Sequence, residues 1–214
     1  MPGLLRIILI NCHLPGFVEL DVSGHSNICG TNASGKTTLQ RLIPVFYGEL
    51  PSKVVPKTRK KFDEFYLPHA NSYLIYEYQT ENGQHCQVVL TRKGNEGVQY
   101  RFVEALYHRE QVLVDIEAGN VQAMLPEQWI KQLRQLGIEF SHKIQATSEF
   151  RNIIQNDVSV GRGAGRDSTK LKQLASRYSL VSSQHRIRHM EKLVSAVHAK
   201  EGKMDTLRTM LAAI

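Results

Sequence analysis

The sequence predicts an α/β fold in which a glycine-rich loop joins a strand to a helix, an antiparallel meander follows, and helices close the chain. Three observations predict it. The residues Gly30-Thr31-Asn32-Ala33-Ser34-Gly35-Lys36-Thr37 fit the phosphate-loop pattern G-x-x-x-x-G-K-T. Runs of β-type residues between 72 and 117 are broken by turn sequences. Beyond Gln184, apolar residues recur at helical spacing.

In chain order, residues 4–11 form an apolar run, Leu14-Pro15-Gly16 signals a turn, and residues 17–22 alternate apolar and polar side chains. Residues 25–29 run straight into the glycine loop, and 37–46 have the composition of a short helix that ends between Pro44 and Gly48. Residues 51–61 read as a basic, proline-punctuated loop. Strands are expected at 72–79, 84–92, 98–107 and 111–117. Glu81-Asn82-Gly83 and Lys93-Gly94-Asn95-Glu96-Gly97 act as hairpin turns between the first three.

Helices are expected at 127–136, stopped by Gly137, and at 148–156, with Thr147 or Ser148 as N-cap. Residues 160–166 hold three glycines and two arginines in a loop. Ile187, Met190, Val194 and Val197 then fall three and four apart, and Met204, Leu207, Leu211 and Ile214 repeat the spacing after Gly202. This is a helix-packing or coiled-coil seam. The helical pattern is still running at Ile214, as in a truncated chain.

The composition, 42% hydrophobic and 22% charged over 214 residues, is that of an ordinary globular protein. No apolar run approaches the roughly 20 residues that span a bilayer, so no membrane partner is expected. The run at 4–10 is too short for a signal peptide and lacks a small-residue cleavage site. Three cysteines, Cys12, Cys29 and Cys86, show no metal spacing and fit a reduced cytoplasmic setting. A net charge of +7 is compatible with an anionic partner such as nucleic acid.

The glycine loop carries the chemistry. Gly30 and Gly35 let the backbone curl so that amide N–H groups of Thr31, Asn32, Ala33 and Ser34 face inward around phosphate oxygens. The helix that follows aims its N-terminal dipole at the same anion. Lys36 reaches the β- and γ-phosphates of ATP, the Thr37 hydroxyl ligates Mg²⁺, and Thr38 adds a contact to the α-phosphate.

The stretch ICGTNASGKTTLQRLIPVFYG, residues 28–48, resembles the N-terminal half-head of SMC-type ATPases, an ABC-like group that includes condensins, MukB-like proteins and break-repair ATPases. Asn32 within the loop and the pair Thr37-Thr38 match that family's G-x-N-x-x-G-K-S/T-T form. The resemblance is good over the first half of the chain and loose over the rest. It implies a P-loop NTPase lobe over 1–184, comprising the loop at 30–37, the meander at 72–117 and helices at 127–184, with 185–214 leading toward a coiled coil. The lobe would combine a mixed sheet with the meander. It also implies ATP and Mg²⁺ as cofactors. The full-length protein would be an ATPase acting on DNA in chromosome organisation, repair or defence, and cytoplasmic or nucleoid-associated. Expected partners are its own C-terminal half-head, which carries the signature and Walker B motifs, a second head, and kleisin-like subunits. The fragment alone would be nearly inactive.

Further site residues follow from the resemblance. The family places an arginine-bearing loop about twenty residues after the lysine, which makes Arg59 the match, with a solvated basic loop as the alternative. A glutamine that ligates Mg²⁺ precedes the helix leading outward. YSLVSSQHRIRHM is similar to that segment and makes Gln184 the candidate, with Gln145 and Gln155 as competitors. His13 stands where the family often contacts nucleotide, although a lone turn histidine is more often a surface residue.

Other readings compete. Val112-Leu113-Val114-Asp115-Ile116-Glu117 looks like a Walker B strand, which would make the chain a self-contained NTPase or kinase. The last strand of the meander is the preferred reading, because a parallel core strand should be reached through a crossover helix. A DNA-binding module that holds nucleotide only structurally is a third class. Trp129 reads as packing. The glycines at 161–165 follow no strand and read as a flexible basic loop.

Overall fold

The computed structural model describes residues 1–13, 16–24, 35–55, 60–117, 120–158, 166–185 and 189–197. The chain divides into two compact units, one built from 1–24 and 60–145 and the other from 25–59 and 146–214. Residues 1–184, expected as one lobe, therefore contribute to both.

The first unit is a five-stranded sheet in the order β2-β1-β3-β4-β5. Its strands are β1 (Gly3–Ile10), β2 (Phe17–Asp21), β3 (Tyr73–Gln79), β4 (His85–Arg92) and β5 (Val98–Val103). β3 is buried along all but its last residue, as the apolar and aromatic run Tyr73-Leu74-Ile75-Tyr76 requires of a central strand. The β3–β4 turn closes with the Thr80 amide donating to the Gln84 carbonyl at 2.9 Å. Gly83 takes a φ of +81° there, which a glycine adopts without steric cost.

Every pair of strands among the described residues is antiparallel, so the described sheet is not itself mixed. β1 is flanked by its hairpin partner β2 and by β3, and both run against it. The expected strand at 25–29 lies outside the described residues.

The meander is also shorter than expected. It ends at Val103, because the free edge of β5 is taken by residues 140–144: Tyr100 exchanges backbone hydrogen bonds with Ile144 at 2.8 and 2.9 Å. The run expected as the meander's last strand, β6 (Leu113–Glu117), instead pairs with β7 (Asn120–Ala123) in a separate two-stranded sheet.

A core of Ile8, Ile10, Tyr73, Ile75, Val89 and Val103 lies on one face of the sheet, and Trp129 and Leu133 pack into it. Both come from one face of α5 (Pro126–Gln135), which starts with Pro126 at its first position and stops before Gly137, where φ is +67°. α4 (Phe62–Tyr66) begins directly after the segment expected to be loop.

The second unit is helical among the described residues. It comprises α1 (Lys36–Gln40), α2 (Leu42–Phe46), α3 (Pro51–Val54), α6 (Thr147–Ile154), α7 (Arg166–Tyr178) and α8 (Met190–Val197). The expected single helix at 37–46 breaks at Arg41. Pro44 has no N–H to give the carbonyl of Gln40, four residues back, so the helical ladder is interrupted there. α6 begins at Thr147 with Ala146 as N-cap, so neither Thr147 nor Ser148 caps it. The apolar repeat from Met204 to Ile214 lies outside the described residues. No helix among the described residues is long and apolar enough to cross a membrane.

Candidate functional site

The described part of the phosphate loop is its end. Gly35 takes a left-handed conformation, φ +87° and ψ 4°, and serves as N-cap of α1. Its chain neighbours aside, no atom of the described residues lies within 4 Å of where its Cβ would stand, and the left-handed backbone angle by itself favours glycine. α1 begins at Lys36, and its first turn is tied back by the Leu39 amide donating to the Gly35 carbonyl at 3.0 Å. Thr37 is exposed at the start of the helix, and Lys36 and Thr38 are half-buried. Residues Gly30, Thr31, Asn32, Ala33 and Ser34 lie outside the described residues, as does Arg59.

The profile of the family described as "Protein of unknown function (DUF3584)" matches residues 8–214. The chain belongs to the DUF3584 family. No curated protein matches it.

Within this DUF3584 chain the three glutamines have different surroundings. Gln155 is buried, and its amide nitrogen is committed to the Tyr47 carbonyl at 2.8 Å and the Glu191 carboxylate at 2.7 Å. That leaves its NH₂ group structural. Gln184 is exposed in a turn closed by the His185 amide donating to the Ser182 carbonyl at 3.1 Å. Gln145 is exposed too, immediately after the residue that bridges to β5 and two residues before α6.

The cluster read as a basic loop holds more structure than expected. Pro51 sits at the first position of α3, where a missing N–H costs nothing, so the proline begins a helix. Lys53 pairs with the buried Glu49 carboxylate at 3.1 Å, and Lys61 pairs with Glu96 at 2.6 Å. The hydrogen bond from Lys61 to Glu96, with the charge of that carboxylate, raises the Lys61 pKa. Lys60 is exposed, and Lys57 lies outside the described residues.

His13 is neither a bare surface residue nor isolated. Its ring stacks on Phe65 at 4.5 Å between centroids and meets the Tyr66 ring edge-on at 5.7 Å. Trp129 is buried against Tyr73, as the packing reading expects. Asp115 is exposed on the β6–β7 hairpin between the exposed residues Val114 and Ile116.

Cys12 and Cys86 are buried and stand outside any disulfide. Burial pushes the Cys12 thiol up to about 12, and its Sγ points at the carbonyls of Ile10 and Tyr73. Such a thiol does not form the thiolate that nucleophilic or metal chemistry needs. The glycines at 161–165 lie outside the described residues.

Sequence reasoning missed a buried polar cluster around Glu191, held by Arg151 and Gln155. These residues are scattered through helices of ordinary composition, and no local pattern marks them.

Proposed function

We propose that this chain is the ATP-binding N-terminal lobe of an SMC-like ATPase head that acts on DNA. The observation that carries the reading is the phosphate-loop sequence at 30–37, whose final glycine turns left-handed and passes directly into a helix beginning at the lysine. In this reading Lys36 meets the β- and γ-phosphates, Thr37 holds Mg²⁺ and Thr38 touches the α-phosphate. Arg59 serves the composite nucleotide site. Gln184 remains the candidate second ligand of Mg²⁺, with Gln145 its competitor. Gln155 is the weaker competitor: it is buried, and its carboxamide is oriented by the hydrogen bonds its nitrogen donates to Tyr47 and Glu191.

The attacking-water machinery would come from a C-terminal half-head, and hydrolysis would require two heads around two nucleotides. Catalysis is then a matter of positioning and charge stabilisation, as in other phosphoryl transfers. DNA and kleisin-like subunits are the partners, and a cytoplasmic or nucleoid location follows from the same reading.

The self-contained NTPase with Asp115 as its Mg²⁺ residue has less support. A Walker B carboxylate ends a buried strand beside the phosphate loop, whereas Asp115 is exposed in a two-stranded antiparallel hairpin. Asp115→Asn should leave ATP binding and turnover unchanged.

The test is calorimetric titration of ATP·Mg²⁺ into the wild type and Lys36→Ala. The wild type should bind and the folded variant should not. Equal affinities would overturn the phosphate-loop assignment. Turnover by the isolated chain near 1 s⁻¹, an ordinary enzyme rate on the order given by known enzymes, would overturn the need for a second half-head.

A further inference from the structure

Glu191 lies in the first turn of α8 and is buried, with 3% of its surface exposed. A buried carboxylate is costly unless its oxygens are met by donors. Here one oxygen takes a hydrogen bond and the other faces an ion-pair partner, each from α6 or its C-cap. Gln155 donates to Oε2 at 2.7 Å, and the Arg151 guanidinium lies 3.8 Å from Oε1. His189 Nδ1 is also 3.8 Å from Oε1.

The same two side chains hold the end of α2. Gln155 donates to the Tyr47 carbonyl and Arg151 to the Gly48 carbonyl, both at 2.8 Å. Each side chain therefore bridges α2 and α8. The fit is tight as well as polar. A Cβ on Gly48 would lie 2.7 Å from Arg151 Cγ and 2.8 Å from its Cβ. α2 in turn follows α1 with only Arg41 between them, and α1 starts at Lys36.

We infer that Glu191, Gln155 and Arg151 form a joint through which the phosphate-loop helices set the position of α8. The three are positioning residues: they act through the backbone carbonyls that follow α2. This inference rests on the phosphate-loop reading. A shift of α1 on phosphate binding reaches Tyr47 and Gly48 through α2, whose Leu42, Pro44, Val45 and Phe46 are buried and cannot slide freely. Two side chains anchored on both sides then carry the shift to the start of α8. Coupling of this kind is established by showing that one site biases the other, not by proximity.

The experiment is amide hydrogen exchange over 189–197, with and without saturating ATP·Mg²⁺, on the full chain. In the wild type ATP should change exchange there by about fivefold or more, the lower end of common coupling between sites. In Glu191→Gln, which keeps the side-chain shape, and in Gln155→Met, which removes one bridge and leaves Arg151 beside the carboxylate, ATP should still bind. The ratio of the two exchange rates should fall toward one. A merely structural role would lower protection equally in both states and leave that ratio intact. An unchanged ratio in both variants overturns the joint, as does a wild type that binds ATP without any change over 189–197. A wild type that binds no ATP overturns the phosphate-loop reading itself, which the titration detects separately.

Discussion

Gly48 and Arg151 are packed so closely that the glycine has no room for a side chain. Gly48 also has φ +94°, whereas Gly83 has φ +81° and, its chain neighbours aside, nothing of the described residues within 4 Å of its would-be Cβ. The two positions separate crowding from backbone strain. Gly83→Ala should cost about 1–2 kcal/mol, the cost of a left-handed non-glycine residue. Gly48→Ala should cost about 1–3 kcal/mol more, as overpacking does. Denaturant midpoints of the two variants check this, and equal costs would mean that Arg151 moves aside freely.

Arg6 on β1 stands opposite Glu77 on β3, and its guanidinium binds the Glu77 carboxylate. The Tyr107 amide donates to the same carboxylate oxygen at 3.1 Å. Glu77 is buried and Arg6 is about a third exposed, so removing the arginine leaves a buried carboxylate short of a donor rather than breaking a surface pair. Arg6→Met should destabilise by about 1–3 kcal/mol, the cost of an under-satisfied buried polar group. The double variant Arg6→Met with Glu77→Leu should recover part of that loss. A double variant that falls by the sum of both singles would show that the pair is not coupled.

Cys12 and Cys86 should resist thiol reagents in the native state. Both are buried, and the Cys12 thiol is held protonated far into the alkaline range. In a Cys29→Ser background, disulfide-exchange labelling in mildly alkaline buffer should report no reactive thiol until denaturant is added. Rapid labelling of either cysteine in the folded chain would contradict its burial.

The basic cluster should meet DNA through phosphates and without regard to sequence. Replacing Lys57, Lys60 and Lys61 with glutamine should weaken binding at every sequence. It should also flatten the log-affinity against log-salt slope by up to about 0.9 for each phosphate no longer neutralised. Lys61 already pairs with Glu96, so Lys57 and Lys60 should account for most of the change. ATP affinity should stay constant, since Arg59 is untouched. An unchanged DNA affinity and slope would make the cluster a solvated face.

The sheet is legible in the sequence because its signals are local. Alternating or apolar runs and glycine turns put β1 to β5 within a few residues of where they form. What escapes such a reading depends on pairing between distant residues. Nothing in the run 111–117 reveals that 140–144 already occupy the edge of β5, and that occupancy is what sends β6 elsewhere. α7 is hidden by its polarity, although Leu171, Leu174, Ala175 and Tyr178 repeat at three and four and form its more buried side. α3 looks like loop because Pro51 and Pro56 resemble punctuation, yet a proline at a first helical position starts a helix. For the phosphate loop the motif says more than the described geometry does.

The order of the two units along the chain has a consequence during synthesis. The chain passes between them after Gly24, after Arg59 and after Gln145. β1 finds its hairpin partner β2 at once, but Ile10 pairs on its other side with Tyr73, far downstream. A ribosome that has released only the phosphate loop has therefore also released an apolar strand with an open edge, the kind of surface that recruits stray strands. Closing that edge waits on a distant partner, which is inherently slow. Recombinant pieces that stop before residue 79 should accordingly precipitate, and nascent chains paused there should be bound by holding chaperones.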